Sequence, residues 1–252
     1  MADKIHRTKA IILKQVKYGE TSIIATAYTE LFGLQSYLIN GIRTASKKAA
    51  GSISFFQPAA ILDMEVYHNE FRQLNRIKEY RWAPLYKNIF TDILKNGVAT
   101  FMIELLTKCL KQPERNADLF AFAEDCLTGL DDCNDQVMAN YPVFFAVHLT
   151  GFFGFLPETA SGCVLQSNSL VFDIQAGTFT EAPVFHSFFL DKKCAVVLAT
   201  LLQVRHPDEL DQIETNVDTR RKILEAMEYY YSMHIHDFGK MRTLQVLQEI
   251  MR

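Results

Sequence analysis

The 252-residue sequence predicts a mixed α+β fold, with strands first and helices after. Three observations carry this. Residues 8–81 hold five runs rich in Ile, Val, Tyr, Phe and Thr, the side chains that pack well on a pleated surface. Turn signals separate the runs, and only the connection after Asn40 is long. From Trp82-Ala83-Pro84 onward, apolar residues recur at helical spacing.

The strand runs are 8–15, 22–29, 35–39, 59–67 and 71–79, with turns at Tyr18-Gly19-Glu20, Phe32-Gly33, Gln57-Pro58 and His68-Asn69. The long connection carries Arg43, Lys47, Lys48 and Gly51. Five short strands with one long basic loop suit a small Greek-key barrel of the OB type, although a five-stranded barrel with no ligand reads the same way. This places a barrel domain at 1–82 and a helical domain at 83–252. Helical stripes run over 88–111, ended by Gln112-Pro113, then over 116–130 and over the almost wholly apolar 135–153. Pro142 in the third stripe implies a kink or a later start. With no flexible linker before it, the first helix is expected to pack directly on the barrel. Residues 157–183 are irregular, with a hairpin around Gln175-Ala176-Gly177. Ser187 is placed to cap a helix through 195–202, which Pro207 breaks, and 218–236 and 241–251 complete the chain.

Composition narrows the function classes. Residues 1–80 carry eleven Lys/Arg against seven Asp/Glu, and the remainder fifteen against twenty-two. A basic front and an acidic back suit a polyanion partner for the first part. The polar N-terminus has no signal-peptide core, and no apolar run is long enough to span a membrane, so a cytoplasmic protein is the default. The five cysteines (Cys109, Cys126, Cys133, Cys163 and Cys194) include no C-x-x-C pair, which argues for reduced thiols.

The cations fall in three groups. Arg7, Lys14 and Lys17 lie on or beside the first strand, Arg43, Lys47 and Lys48 on the long loop, and Arg72, Arg76 and Lys78 at even spacing on the fifth run. The last three would give one strand face three positive charges, either for phosphates or as the charged protection of a solvated edge strand. Tyr18 and Tyr67 adjoin turns and are the rings best placed to stack on bases. There is no phosphate-cradling glycine motif, no nucleophile elbow and no H-E-x-x-H. His234 and His236 point in different directions on a helix, and Asp131, Asp132, Asn134 and Asp135 read as a loop and helix N-cap rather than a calcium loop.

Several of these pieces occur together in an order that is more specific than any one of them. They are Lys9-Ala10-Ile11-Ile12-Leu13, Tyr18-Gly19-Glu20-Thr21, Tyr28-Thr29 with Gly33 after it, Asn40-Gly41-Ile42-Arg43 and Phe56-Gln57-Pro58. Later come Gly151-Phe152-Phe153-Gly154-Phe155-Leu156-Pro157 and Met241-Arg242-Thr243-Leu244-Gln245-Val246-Leu247. On these residues the chain resembles the RecO family of bacterial recombination mediators over nearly its whole length. The resemblance implies an OB barrel and a helical domain that bind single- and double-stranded DNA and anneal complementary strands without a cofactor or catalysis. It implies RecR as a partner and a role in helping RecA replace single-strand-binding protein (SSB). The implied DNA contacts are Arg7, Lys14, Lys17, Arg43, Lys47, Lys48, Arg72 and Arg76, to which Tyr18 is added as a stacking ring. An apolar pocket with basic neighbours for the acidic SSB tail is implied around Arg220, Arg221, Lys222 and Tyr230. Many members carry two C-x-x-C pairs in the segment that corresponds to 158–183. Here only Cys163 stands there, and one thiolate cannot build a tetrahedral site, so no zinc is expected. That segment is expected to hold as a hairpin through Leu165, Val171, Phe172 and Phe179. A scaffold that docks RecR or SSB and binds DNA only weakly is the alternative reading.

Overall fold

A computed structural model describes residues 4–43, 52–158 and 167–251. The chain divides into two compact units, one of Met1–Lys87 with Leu110–Thr128 and one of Asn88–Cys109 with Gly129–Arg252.

The first unit is built on five strands: β1 (Lys4–Tyr18), β2 (Ser22–Thr29), β3 (Gly33–Ile39), β4 (Ile61–His68) and β5 (Asn75–Trp82). β1 is long enough to serve two ladders. Its first half pairs with β4 from Lys4↔His68 to Ile11↔Ile61, and its second half pairs with β2 from Ala10↔Thr29 to Tyr18↔Ser22. A parallel pairing of β3 with β5 completes the order β1-β2-β3-β5-β4, and the ladder closes on itself as an OB-type sheet does. The interior is filled by Ala10, Ile12, Ala25, Tyr37, Leu62 and Val66, all essentially without solvent contact. Burying such side chains stabilises the fold by roughly 1.5–3 kcal/mol for each large one.

Two expectations for this unit need correction. β5 starts at Asn75 rather than 71, so Arg72 sits in the turn before it, with its amide N–H donating to the Asn69 carbonyl. A bulge then sets Glu65 opposite Glu79 but Val66 opposite Ile77, which leaves Lys78 as the extra residue. The regular face of three charges therefore does not form. The helix grouped with the barrel strands in one compact unit is the second. α2 (Ala117–Asp132) begins at Asn116, whose side chain accepts from the Leu119 amide. Its first part belongs to the barrel unit: the Tyr28 hydroxyl donates to the Asn116 carbonyl at 3.0 Å, and Phe120 lies 5.9 Å from the Tyr28 ring. Burial pushes the Tyr28 phenol up to about 12. Just before α2, the backbone of Glu114 crosses Gly33 so closely that a Cβ there would lie 2.1 Å from the Glu114 carbonyl oxygen.

The second unit is helical: α1 (Ile93–Cys109), α3 (Asp135–Leu149), α4 (Lys192–Leu201), α5 (Val217–His234) and α6 (Arg242–Ile250). α3 is apolar on nearly every face, so it is buried along its length. It starts at 135, capped by Asn134, and carries Pro142 inside it. α4 is capped by Asp191, which accepts from the Cys194 amide, and not by Ser187. The expected hairpin is present as β6 (Leu170–Asp173) and β7 (Thr178–Glu181), with a short third strand β8 (Phe189–Leu190) beside β6. Phe172 packs on Phe179 at 4.9 Å, Val171 is buried, and the Asp173 carboxylate accepts from the amides of Gln175 and Ala176. Leu165 and Cys163 lie outside the described residues. Among the described residues no group of three His, Cys, Asp or Glu side chains is arranged to hold a metal ion. No helix in them is long and apolar enough to cross a membrane.

Candidate nucleic-acid interface

Strand register separates the barrel's cations into two environments. Residues directly opposite on paired strands share a face. Lys14 stands opposite Thr26 and Thr26 opposite Ser36. Val16 stands opposite Ile24, Ile24 opposite Leu38, and Leu38 opposite Arg76. The alternate row, Gln15–Ala25–Tyr37–Asn75, faces inward. The outer face of β1, β2, β3 and the start of β5 thus presents Lys14, Val16, Tyr18, Ser22, Ile24, Thr26, Ser36, Leu38 and Arg76, with no carboxylate among them. Tyr18 is 52 % exposed and Val16 42 %, so apolar and aromatic surface is open to solvent beside the two cations. Lys14, Lys17 and Arg76 are exposed and form no ion pair among the described residues.

The rim of this face is built by the β1–β2 turn and the chain leaving β3. Gly19 takes a positive φ of 57° at the turn, and Glu20 beside it is exposed. Arg43 is pinned there: its amide donates to the Thr21 carbonyl at 2.9 Å and its Nη1 to the Gly19 carbonyl at 3.2 Å. Lys17, Tyr18 and Arg43 therefore cluster at one end of the sheet. Lys47 and Lys48 lie outside the described residues. Arg72 stands apart in the β4–β5 turn, next to Phe71, which is 89 % exposed.

Arg7 belongs to the other environment. Its guanidinium pairs with Glu65 at 2.7 Å, and Lys78 takes the second oxygen of that carboxylate at 2.9 Å. The bonds from Lys78 and Arg7 hold the Glu65 carboxyl below the usual carboxylate range. Arg81 pairs with Asp63 at 3.1 Å. Lys9 pairs with Glu124 at 2.7 Å, and this hydrogen bond raises its pKa. Arg7, Lys9 and Arg81 meet Glu30, Asp63, Glu65 and Glu79 in a groove of about 480 Å³. Such a surface is close to neutral.

In the helical unit, Arg220, Arg221, Lys222 and Tyr230 do not converge. Arg220 and Arg221 line a groove of about 280 Å³ with Pro142, Val217, Leu224 and Leu247, and Asp218 is also on its wall. Arg220 donates to Thr215 Oγ1 at 2.8 Å, and burial lowers its pKa. Arg221 pairs with Glu225 at 3.0 Å, while Lys222 pairs with Asp191 at 3.3 Å away from the groove lining. Tyr230 is buried, its hydroxyl donating to the Phe155 carbonyl at 2.9 Å and closing over Gly177 of the hairpin. The sequence reading missed the outer-face residues Ser22, Ile24, Thr26, Ser36 and Leu38, although their alternation with Ile23, Ala25, Ala27 and Tyr37 was available as a signal. The groove residues Pro142, Val217 and Leu247 come from three helices, and no local pattern joins them.

A five-stranded barrel of this order, with an acid-free outer face over its first three strands, defines an OB-type module, a class whose strand 2–3 face and adjoining loops take up oligonucleotides and oligosaccharides. Family models place the chain further. The recombination protein O N-terminal family matches residues 1–86 and the recombination protein O C-terminal family matches residues 91–242. The DNA repair protein RecO of Flavobacterium johnsoniae is 31% identical over 97% of this chain and 98% of its own length. That of Bacteroides fragilis is 30% identical over 98% and 99%, and that of Porphyromonas gingivalis 24% identical over 96% and 98%. The chain belongs to the RecO family of DNA repair proteins.

Proposed function

We propose that this protein is a non-enzymatic recombination mediator that binds DNA on its barrel, anneals complementary strands and, with RecR, helps RecA load onto SSB-coated single strands. It acts in the cytoplasm at the nucleoid. The observation that carries this is the outer face of β1–β2–β3: two unpaired cations, Lys14 and Arg76, three hydroxyls and an exposed ring, with no carboxylate among them. Cations and hydroxyls take phosphates, and rings take bases, without regard to sequence. Lys17 and Arg43 extend the face at its rim. Annealing asks for neutralised phosphates and strands held near one another, which needs no catalytic group. Burial pushes the Cys133 and Cys194 thiols up to about 11, so neither is an activated nucleophile. The Arg220 groove supports a second element of the reading. An apolar trough with a guanidinium bound only to neutral acceptors among the described residues suits the acidic tail of SSB.

The charge-paired groove around Glu65 favours the scaffold alternative for that side of the barrel, since interleaved charges suit a protein partner better than DNA. The two readings separate on salt. Binding of fluorescent single-stranded DNA is expected to fall steeply with salt. Lys14→Ala/Arg76→Ala is expected to weaken it and flatten the slope by about 1.4, or ~0.7 for each lost phosphate contact. Arg7→Ala, whose charge is already spent on Glu65, is expected to leave the slope within about 0.3 of wild type. A folded protein with no binding at low salt would move the function to the scaffold.

A further inference from the structure

The helical unit carries a second surface that the barrel reading does not use. Between the cis Ala182-Pro183 bond and the start of α4 the chain presents three phenylalanines. Phe185 is 99 % exposed, Phe189 40 % and Phe188 39 %. Exposed aromatic rings at this density carry a hydration cost that a solvated turn of polar residues would avoid. Two of them are held in place. Phe188 lies flat on Tyr229 of α5, ring centroids 4.6 Å apart and planes 7° from parallel, and its carbonyl accepts from the Ile174 amide. Phe189 is fixed by its pairing with Asp173 on β6. His186 is tied to Asp173 at 3.2 Å. The loop therefore fixes Phe188 on Tyr229 and leaves the Phe185 ring open to solvent three residues before it.

Cations follow at once. Lys193 is exposed and forms no ion pair among the described residues, while Lys192 reaches only the neutral Asn168 side chain at 3.0 Å. Lys222, on α5, pairs with Asp191 at 3.3 Å, so the two together add no net charge to the segment. The carboxylates in the segment are engaged: Asp191 with Lys222 and the α4 N-terminus, Asp173 with His186. Glu181, at the end of β7, is exposed.

We infer that Phe185, Phe188 and the adjoining Lys192 and Lys193 form a second contact surface for single-stranded nucleic acid, with bases continuing the Phe188–Tyr229 stack and phosphates meeting the lysines. Flat rings beside point charges fit a strand whose bases are unpaired, because a duplex keeps its π-faces inside. The inference rests on the DNA-binding reading of the barrel and adds to it: each unit then holds nucleic acid by its own surface.

The test uses the full chain and a fluorescein-labelled oligothymidylate. Phe185→Ala/Phe188→Ala is expected to weaken binding at least about fivefold, the change that ~1 kcal/mol of stacking corresponds to, while leaving the salt slope unchanged. Phe185→Ala alone repeats the direction at a position with no packing to lose. Lys192→Ala/Lys193→Ala instead lowers the slope by about 1.4. An oligothymidylate bearing 5-iodouracil is expected to photo-crosslink to the segment that holds Phe185 and Phe188. Wild-type binding with both phenylalanine variants within twofold of it, and no crosslink there, overturns the inference. If Lys14→Ala/Arg76→Ala still weakens binding, the barrel reading survives. Absence of wild-type binding overturns both. Unchanged DNA binding with loss of a protein partner assigns the rings to that partner and overturns the inference as well.

Discussion

Arg7 and Lys14 stand on the same strand and meet opposite surroundings. Read in sequence they are equivalent cations, but Arg7 is claimed by Glu65, which lies 58 residues away, while Lys14 faces Thr26 and open solvent. Nothing local in the sequence distinguishes them, because the deciding carboxylate arrives through the β1–β4 register. Tyr230 shows the same limit in reverse. The family resemblance groups it with Arg220, Arg221 and Lys222, while its helical position turns it inward under Phe155. What was legible at this scale were caps and turns, such as Asn134 before α3, since those are set by neighbours in sequence. Glu104 is a residue whose work sequence could not show. Its carboxylate accepts from the amides of Arg242 and Thr243 at 3.0 and 2.8 Å and from the Thr243 hydroxyl at 2.6 Å, so it caps α6 from another helix. Burial pushes its pKa up, but these hydrogen bonds outweigh burial and hold it below the usual value. A depressed carboxyl contributes stability above its unfolded pKa and loses it as pH falls through the lower folded one. Glu104→Ala is expected to cost about 1–2 kcal/mol at neutral pH in urea unfolding. The gap to wild type should close as the pH drops to about 3.

At the scale of elements, β2 fell where its alternation put it, at Ser22–Thr29, because turn residues bound it on both sides. β1 extends further toward the N-terminus than its apolar run, through Lys4 to Arg7, since β4 supplies hydrogen-bonding partners that no side-chain pattern announces. β5 starts late because a turn at Asn69–Arg72 takes up its expected first residues, and the bulge at Lys78 then breaks the even spacing of Arg72, Arg76 and Lys78. α4 begins later than Ser187 implied because 189–190 are drawn into β8. The crossing of residues 110–116 over β3 is the most demanding contact between elements of the barrel unit. Gly33 has φ of 62°, and a Cβ would meet the carbonyl carbon of Glu114 at 2.6 Å as well as its oxygen. Gly33→Ala combines left-handed strain with a backbone clash that no rotamer change relieves. It is expected to cost at least ~2 kcal/mol, read as a lowered melting temperature, whereas Gly19→Ala, with open space around it, pays only the strain.

For the whole molecule, the order of strands then helices was legible from composition and periodicity, and the family from the order of short motifs. The hairpin of 167–181 takes its rigidity from Phe172, Phe179, Tyr230 and the Asp173 turn, all within the described residues. With only Cys163 left in the segment, the protein is expected to melt at the same temperature, within about a degree, after EDTA treatment, and to carry no stoichiometric zinc by atomic absorption. The barrel unit is discontinuous: Met1–Lys87 leaves the ribosome first, Asn88–Cys109 of the other unit follows, and only then does Leu110–Thr128 appear. At roughly 5–20 residues per second, the interval between strand β5 and the segment that covers Tyr28 and Gly33 lasts several seconds. During that time a nascent barrel has all its strands but lacks its own last layer, and a piece of its neighbour hangs unfinished between them. The two units are thus interleaved in time, and neither can be released complete from a transcript that stops at the end of the fifth strand.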